Sequence, residues 1–179
     1  NAMAALAVAD TYQVPLPAAA AALEAFDGFQ NRQQIHVQNG ITIMDDTYNA
    51  SPVSMQAQLE VLESMKKAAR RIAVLADMKE LGPDAALYHR QLGQWLNVHP
   101  PDILFTLGEL AGIIGEAATE GKQTLVWYPF DAGDRDGLFH RLVSVLAPGD
   151  FVMLKGSNSM KLGEVAARLL EYEKTLEHV

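Results

Sequence analysis

Ile41-Thr42-Ile43-Met44-Asp45-Asp46-Thr47-Tyr48-Asn49-Ala50-Ser51-Pro52 decides how the rest of the chain is read. Four apolar or β-branched residues lead into two acids and a polar turn, and Pro52 then suits the first turn of a helix. This is the pattern of a buried strand whose carboxyl end opens at a site, because open α/β sheets bind ligands outside the carboxyl ends of their strands. Ser51 is the expected N-cap of the helix that follows.

Working outward, Gln34 to Val37 alternates polar and apolar residues, and Asn39-Gly40 is a strong two-residue hairpin signal. The strand before the turn is therefore expected to pair antiparallel with Ile41–Met44. Downstream, Met55, Leu59, Leu62 and Met65 recur at helical spacing, and the apolar run Arg71 to Ala76 ends in Asp77. Leu81-Gly82-Pro83-Asp84 resets the chain into a helix through Leu87, Leu92 and Trp95. Asp102 to Leu107 is the next strand, with Gly108 leading into a helix from Leu110 to Ala118. Thr124 to Tyr128 reads as a strand, Asp134 to Leu146 as a helix, Phe151 to Leu154 as the last strand and Met160 to Leu176 as the closing helix.

Strand and helix alternate five times, and the strands are continuous apolar runs of the kind buried on both faces by crossover helices. The expected fold class is α/β: a Rossmann-like, doubly wound, mostly parallel sheet with an antiparallel edge strand. Two short Ala-rich helices precede it, Ala2 to Tyr12 and one with Pro17 in its first turn running to about Phe26. They read as the tail of something upstream. The boundary then falls between Asp27 and Gln38, leaving 1–33 as helical tail plus linker and 34–179 as the domain.

The 179 residues suffice for one ordinary core, and a composition 49% hydrophobic and 20% charged is globular. Fourteen basic against 22 acidic residues give a net charge of −8, with no basic stripe, so nucleic acid is not an expected partner. Asp10, Gln13, Pro15, Pro17 and Glu24 interrupt the Ala-rich start, which argues against a membrane segment. The absence of cysteine excludes disulfides and thiolate chemistry and fits a cytoplasmic location.

Candidate chemistry lies at the strand ends: Asp45, Asp46, Tyr48 and Asn49; Asp77, Glu80 and Gly82; Thr106 and Gly108; Lys155, Ser157 and Asn158. Asp, Ser and Asn at such junctions are commonly helix caps, so each alone reads first as structural. Together they set carboxylates beside a lysine on one rim, a set that suits ribose hydroxyls, water-bound Mg²⁺, or a phosphate or carboxylate at Lys155. No residue is an obvious nucleophile, and His36 and His89 have no metal-ligand spacing. Neither G-x-x-x-x-G-K-[ST] nor G-x-G-x-x-G is present, so the chain lacks a phosphate cradle of its own.

Three ordered blocks resemble the C-terminal domain of the Mur ligases: Asp45-Asp46-Thr47-Tyr48-Asn49-Ala50-Ser51-Pro52; Val74 to Gly82, with His89 just beyond; and Leu154-Lys155-Gly156-Ser157-Asn158-Ser159-Met160. The agreement runs from about Ile35 to the end, and the Ala-rich start resembles the last helices of the family's central ATPase domain. The resemblance implies the lid domain of a monomeric ATP-dependent amide-bond ligase of peptidoglycan synthesis, one that adds D-Ala-D-Ala to UDP-N-acetylmuramoyl-tripeptide. In that chemistry ATP converts a substrate carboxylate to an acyl phosphate, which the dipeptide amine attacks, with Mg²⁺ on the phosphates. The phosphate loop and the Mg²⁺ site belong to the central domain, so neither a catalytic residue nor a metal ligand is expected here, and the chain alone is expected to be inactive.

Carried over by motif, Asp46 accepts the ribose hydroxyls, with Asp45 as the second candidate, and Asn49 lies beside the adenine. Arg32 resembles an arginine that reaches the phosphates, although Gln30-Asn31-Arg32 stands where Pro-Gly-Arg is usual. Lys155, Ser157 and Asn158 line the dipeptide side, where Asn158-Ser159 replaces a common Arg-Gly. Asp77, Glu80 and His89 match the pattern without an assigned role, and bracing the loop after Ala76 is an equal reading.

Other readings compete for the same residues. A phosphorelay receiver also uses an acid pair, a later strand-end Asp, a Thr and a Lys, but its phosphoacceptor follows the third strand, whereas Asp77 ends the strand directly after the acid pair. Another Mur or folylpolyglutamate-type ligase domain, or a plain nucleotide- or protein-binding module, fits the bare pattern too.

Overall fold

The computed structural model describes residues 2–26, 29–121 and 125–172. Six strands form one sheet: β1 (Gln34–Gln38), β2 (Ile41–Asp46), β3 (Arg71–Ala76), β4 (Ile103–Leu107), β5 (Val126–Phe130) and β6 (Phe151–Lys155), in the order β1-β2-β6-β3-β4-β5. Only β1 runs antiparallel, pairing Gln34 with Asp45 and Gln38 with Ile41. The hairpin is built as its sequence requires: Asn39 and Gly40 both take positive φ, 52° and 74°, the type I′ geometry that matches strand twist.

The other five strands are parallel, so their carboxyl ends share one rim. Crossover helices cover both faces. On one face α6 (Arg135–Val145) and α7 (Leu162–Glu171) pack Leu138, Leu142 and Val165 on Ile43, Val74, Phe105 and Leu154. On the other, α3 (Pro52–Ser64), α4 (Ala85–Val98) and α5 (Glu109–Thr119) pack Met55, Leu59, Leu92 and Ile114 on Leu75, Leu104 and Met153. The alternation of Val152 and Leu154 with Phe151 and Met153 between these two cores is the period of two that a strand buried on both faces demands.

The amino-terminal helices α1 (Ala2–Thr11) and α2 (Leu16–Glu24) bury only Ala19. At the opposite end of the sheet from the rim, Asp150 is buried and accepts from Arg70 Nε (2.9 Å), Arg70 Nη2 (2.6 Å) and the Ala147 amide (2.8 Å). That hydrogen bonding raises the Arg70 pKa above its ordinary value.

Most boundaries fall within a residue of expectation, and the following differ by two. β2 continues through both acids to Asp46 instead of ending at Met44. β5 runs on to Phe130 despite Pro129; as an edge strand it tolerates a missing ladder donor. The closing helix starts at Leu162, because Asn158–Met160 forms a 3₁₀ turn and Lys161 takes a left-handed φ of 54°. The expected strand start at Thr124, the boundary residue Asp27 and the closing helix beyond 172 lie outside the described residues.

Candidate functional site

Strand β6 inserts between β2 and β3, and the parallel register sets Asp46 directly opposite Lys155. Lys155 Nζ donates to Asp46 Oδ2 at 2.5 Å and to the Asn49 carbonyl at 3.1 Å. Their side chains are 2% and 11% exposed, so this ion pair lies within the sheet rim and fixes the carboxylate in place. The remaining oxygen, Oδ1, accepts the Gln33 amide at 3.3 Å.

Above the pair opens a cleft of about 590 Å³ lined by Arg32, Asp46, Tyr48, Asn49, Ser51 and Lys155 among others. The Arg32 guanidinium lies 3.9 Å from the centre of the Tyr48 ring, a cation–π arrangement. Asn49 is exposed, and its Oδ1 accepts the Ala50 amide at 2.8 Å. Ser51 caps α3 as expected: it accepts from the Ser54 amide, and Ser54 Oγ accepts from the Ser51 amide at 2.9 Å.

Asp45 faces away from this cleft. Its Oδ1 accepts the Thr47 amide (3.0 Å) and hydroxyl (2.7 Å), and its Oδ2 accepts Asn31 Nδ2 (2.9 Å). This is an Asx turn that ends the strand. A second cleft, about 640 Å³, lies on that side, between Asn31, His36, Asp45, Thr47, Asn158 and Lys161.

Lys155, Ser157 and Asn158, grouped in the sequence, have different surroundings in the structure. The Lys155 ammonium belongs with Asp46 and Asn49, whereas Ser157 turns toward β3: its Oγ accepts the Lys79 amide at 2.8 Å and its amide donates to the Asp77 carbonyl at 3.1 Å. Asn158 is exposed at the start of the 3₁₀ turn and lines the second cleft. The family resemblance groups Lys155 with its neighbours in the motif, and strand pairing gives it a partner 109 residues away.

Asp77 is buried and braces the rim. Its carboxylate accepts the Ala111 amide at 2.7 Å, capping α5 from a neighbouring strand, and pairs with Lys79 Nζ at 2.8 Å. Gly108 is required beside it, because a Cβ there would sit 2.3 Å from Asp77 Oδ1 and the backbone has φ 111°. A phosphoacceptor aspartate needs a free carboxylate in a cleft, which this one is not. His89 is fully buried: Nε2 accepts the Met78 amide (2.9 Å) and Nδ1 lies 2.7 Å from the Ala85 carbonyl, to which it donates. Burial pushes its pKa below the usual histidine value, so the ring is a neutral strut under the loop. Glu80 is exposed, with φ 64°, and Thr106 is buried, accepting from Trp127 Nε1 at 2.9 Å. Among the described residues no cluster of His, Asp and Glu forms a metal-ligand set, and no helix is long and apolar enough to cross a membrane.

Of the linker, the sequence singles out Arg32 but not its two neighbours. Asn31 and Gln33, both in left-handed conformation (φ 60° and 53°), hook onto Asp45 and Asp46. The signal was present as an Asn two residues before a Gln between helix and strand, since Asn tolerates that conformation better than most residues.

The family profile described as "Mur ligase, glutamate ligase domain" matches residues 29–158, which include the strand rim and the linker hook. The chain belongs to the Mur ligase family. It is 31% identical over 174 residues to UDP-N-acetylmuramoyl-tripeptide--D-alanyl-D-alanine ligase of Bacillus subtilis (strain 168), covering 96% of this chain and 37% of that relative. Among solved structures, MurF from Acinetobacter baumannii superposes with a TM-score of 0.81 at 28% identity, over 96% of this chain and 37% of the other. The MurF ligase of Thermotoga maritima in complex with ADP gives 0.71 at 25% identity, over 93% and 36%. The mostly parallel six-stranded sheet is thus the fold of a Mur ligase domain, and the chain spans a little over a third of the length of these relatives.

Proposed function

We propose that this chain is the lid of an ATP-dependent ligase that joins D-Ala-D-Ala to UDP-N-acetylmuramoyl-tripeptide by way of an acyl phosphate. One observation carries the reading. The Asp46 carboxylate is held by Lys155 at the floor of a cleft walled by Arg32, Tyr48 and Asn49, in a chain whose relatives bear that ligase's name.

In this reading Asp46 accepts the ribose hydroxyls, Asn49 and Tyr48 flank the base, and the exposed Arg32 guanidinium reaches toward phosphate oxygens, for which its planar fork is suited. Lys155 acts through Asp46, as the cation that orients it. Ser157 and Asn158 stay assigned to the dipeptide side. Asp45, Asp46 and Asp77 already have protein donors on their carboxylates, so a Mg²⁺ ion accompanying ATP is assigned to the phosphates and the upstream part of the ligase. The chain's contribution is to position the amine and to exclude water from the reactive acyl phosphate. A cytoplasmic, monomeric enzyme without nucleic-acid or membrane partners belongs to the same proposal.

The full-length protein tests it. Its sequence is expected to carry G-x-x-x-x-G-K-[ST] roughly 200 residues upstream, about a domain length or two away, and the purified enzyme to release ADP only when both the tripeptide substrate and D-Ala-D-Ala are present. A full-length sequence without that motif, or ligation by the 179-residue chain alone, would contradict the proposal.

A further inference from the structure

The acceptor assigned to the ribose is already engaged by protein donors. Asp46 is nine-tenths buried, with Oδ2 taken by the Lys155 ammonium and Oδ1 by the Gln33 amide. A diol donates two O–H groups and needs both a free lone pair and an open approach. The cleft leads to this carboxylate, but one of the acceptor sites on Oδ1 is already taken by the Gln33 amide.

The donor on Oδ1 comes from the linker, which is held by contacts of unequal strength. Asn31 is the firm point: its Nδ2 donates to Asp45 Oδ2 (2.9 Å) and Thr47 Oγ1 (3.2 Å), its carbonyl accepts the Tyr48 amide (3.0 Å), and its amide donates to Gln34 Oε1 (3.1 Å). Gly163 of α7 gives it room, since a Cβ there would come to 3.0 Å from Asn31 Nδ2. Gln33 is the loose point. It has one bond to the turn, at 3.3 Å, longer than the usual 2.9–3.0 Å for N–H···O, and a left-handed backbone that costs a non-glycine residue energy.

We propose that Gln33 is a latch on Asp46, and that the nucleotide's ribose hydroxyls and the Gln33 amide compete for the same carboxylate oxygen, with Asn31 as the fixed pivot. The inference rests on the assignment of Asp46 to the ribose. Its consequence is that nucleotide binding frees the linker segment carrying Arg32, releasing the guanidinium from Tyr48. Occupancy of the cleft and the setting of everything upstream of Asn31 become one equilibrium, because a ligand shifts a conformation only through its differential affinity for the two states.

The test is amide NMR of this chain with Mg-ADP and, separately, with Mg-2′,3′-dideoxy-ADP. The Asn49 and Ser51 amides report contact with the cleft, and the solvent-exchange rate of the Gln33 amide reports the latch. The proposal expects ADP to shift Asn49 and Ser51 and to speed Gln33 exchange about tenfold, the scale of losing a hydrogen bond to a charged acceptor. Dideoxy-ADP should shift the same two amides and leave Gln33 exchange unchanged. If ADP shifts Asn49 while Gln33 exchange stays constant, the latch is wrong and the nucleotide assignment stands. If neither nucleotide shifts Asn49 at millimolar concentration, the nucleotide assignment fails and the latch falls with it.

Discussion

Neutralising the buried ion pair one partner at a time, and then both together, gives the sharpest stability test. Lys155 Nζ and Asp46 Oδ2 are 2.5 Å apart with side chains 2% and 11% exposed. At an effective dielectric constant of about 20 their attraction is roughly 7 kcal/mol gross, set against a desolvation cost of several kcal/mol per ion. The pair therefore adds little net stability, yet either partner alone is costly. Lys155→Met leaves a carboxylate whose remaining donor among the described residues is the Gln33 amide, and Asp46→Asn leaves a buried ammonium facing a neutral amide and the Asn49 carbonyl. Each single change should cost about 3–5 kcal/mol, out of roughly 5–15 kcal/mol for a domain. The double variant should lose only about 1–2 kcal/mol, giving a coupling energy of about 4 kcal/mol or more. Urea unfolding followed by the fluorescence of Trp95 and Trp127 measures it, with midpoint shifts of about 1–2 M for the single variants. Additive losses, agreeing within about 0.5 kcal/mol, would refute the reasoning.

Three further outcomes are expected. His89 has a lowered folded-state pKa because of burial, so the unfolded chain takes up its proton first as pH falls; its contribution is intact above about 6.5 and erodes below that value. Urea stability should therefore drop between pH 7.5 and 5, and the drop should shrink in His89→Gln; an unchanged pH profile in that variant would count against a neutral strut. Gly108→Ala combines a φ of 111° with a Cβ 2.3 Å from Asp77 Oδ1 and should cost about 2 kcal/mol or more, seen as a lower Tm; a neutral result would mean that Asp77 does not cap α5. In the full-length ligase, Lys155→Met should raise the KM for ATP and leave the KM for D-Ala-D-Ala unchanged; the reverse pattern would return Lys155 to the dipeptide side.

Much of this was readable in the sequence because local rules and the fold agree. Pro52 after Ser51 starts α3, Asn39-Gly40 makes the hairpin, and the apolar runs ending in Asp46, Asp77 and Lys155 are the strands whose ends form the rim. What was not readable is pairing at long range. Nothing in the chain order says that β6 enters between β2 and β3, and that insertion sets the Lys155 ammonium against Asp46. Asp45 and Asp46 look equivalent as letters, yet the alternation of side chains along β2 sends one into an Asx turn and the other into the cleft. The linker's hook was hidden for a similar reason: Asn31 and Gln33 are unremarkable polar residues until the turn that accepts their hydrogen bonds is folded beside them.

The central claim is that Asp46 binds the nucleotide, and steady-state ligation by full-length Asp46→Asn tests it most directly, under conditions where the urea curve shows the variant folded. The account predicts a KM for ATP raised about tenfold, the cost of losing a charged acceptor for hydroxyl donors, with the KM for D-Ala-D-Ala unchanged. An unaltered KM for ATP would contradict it.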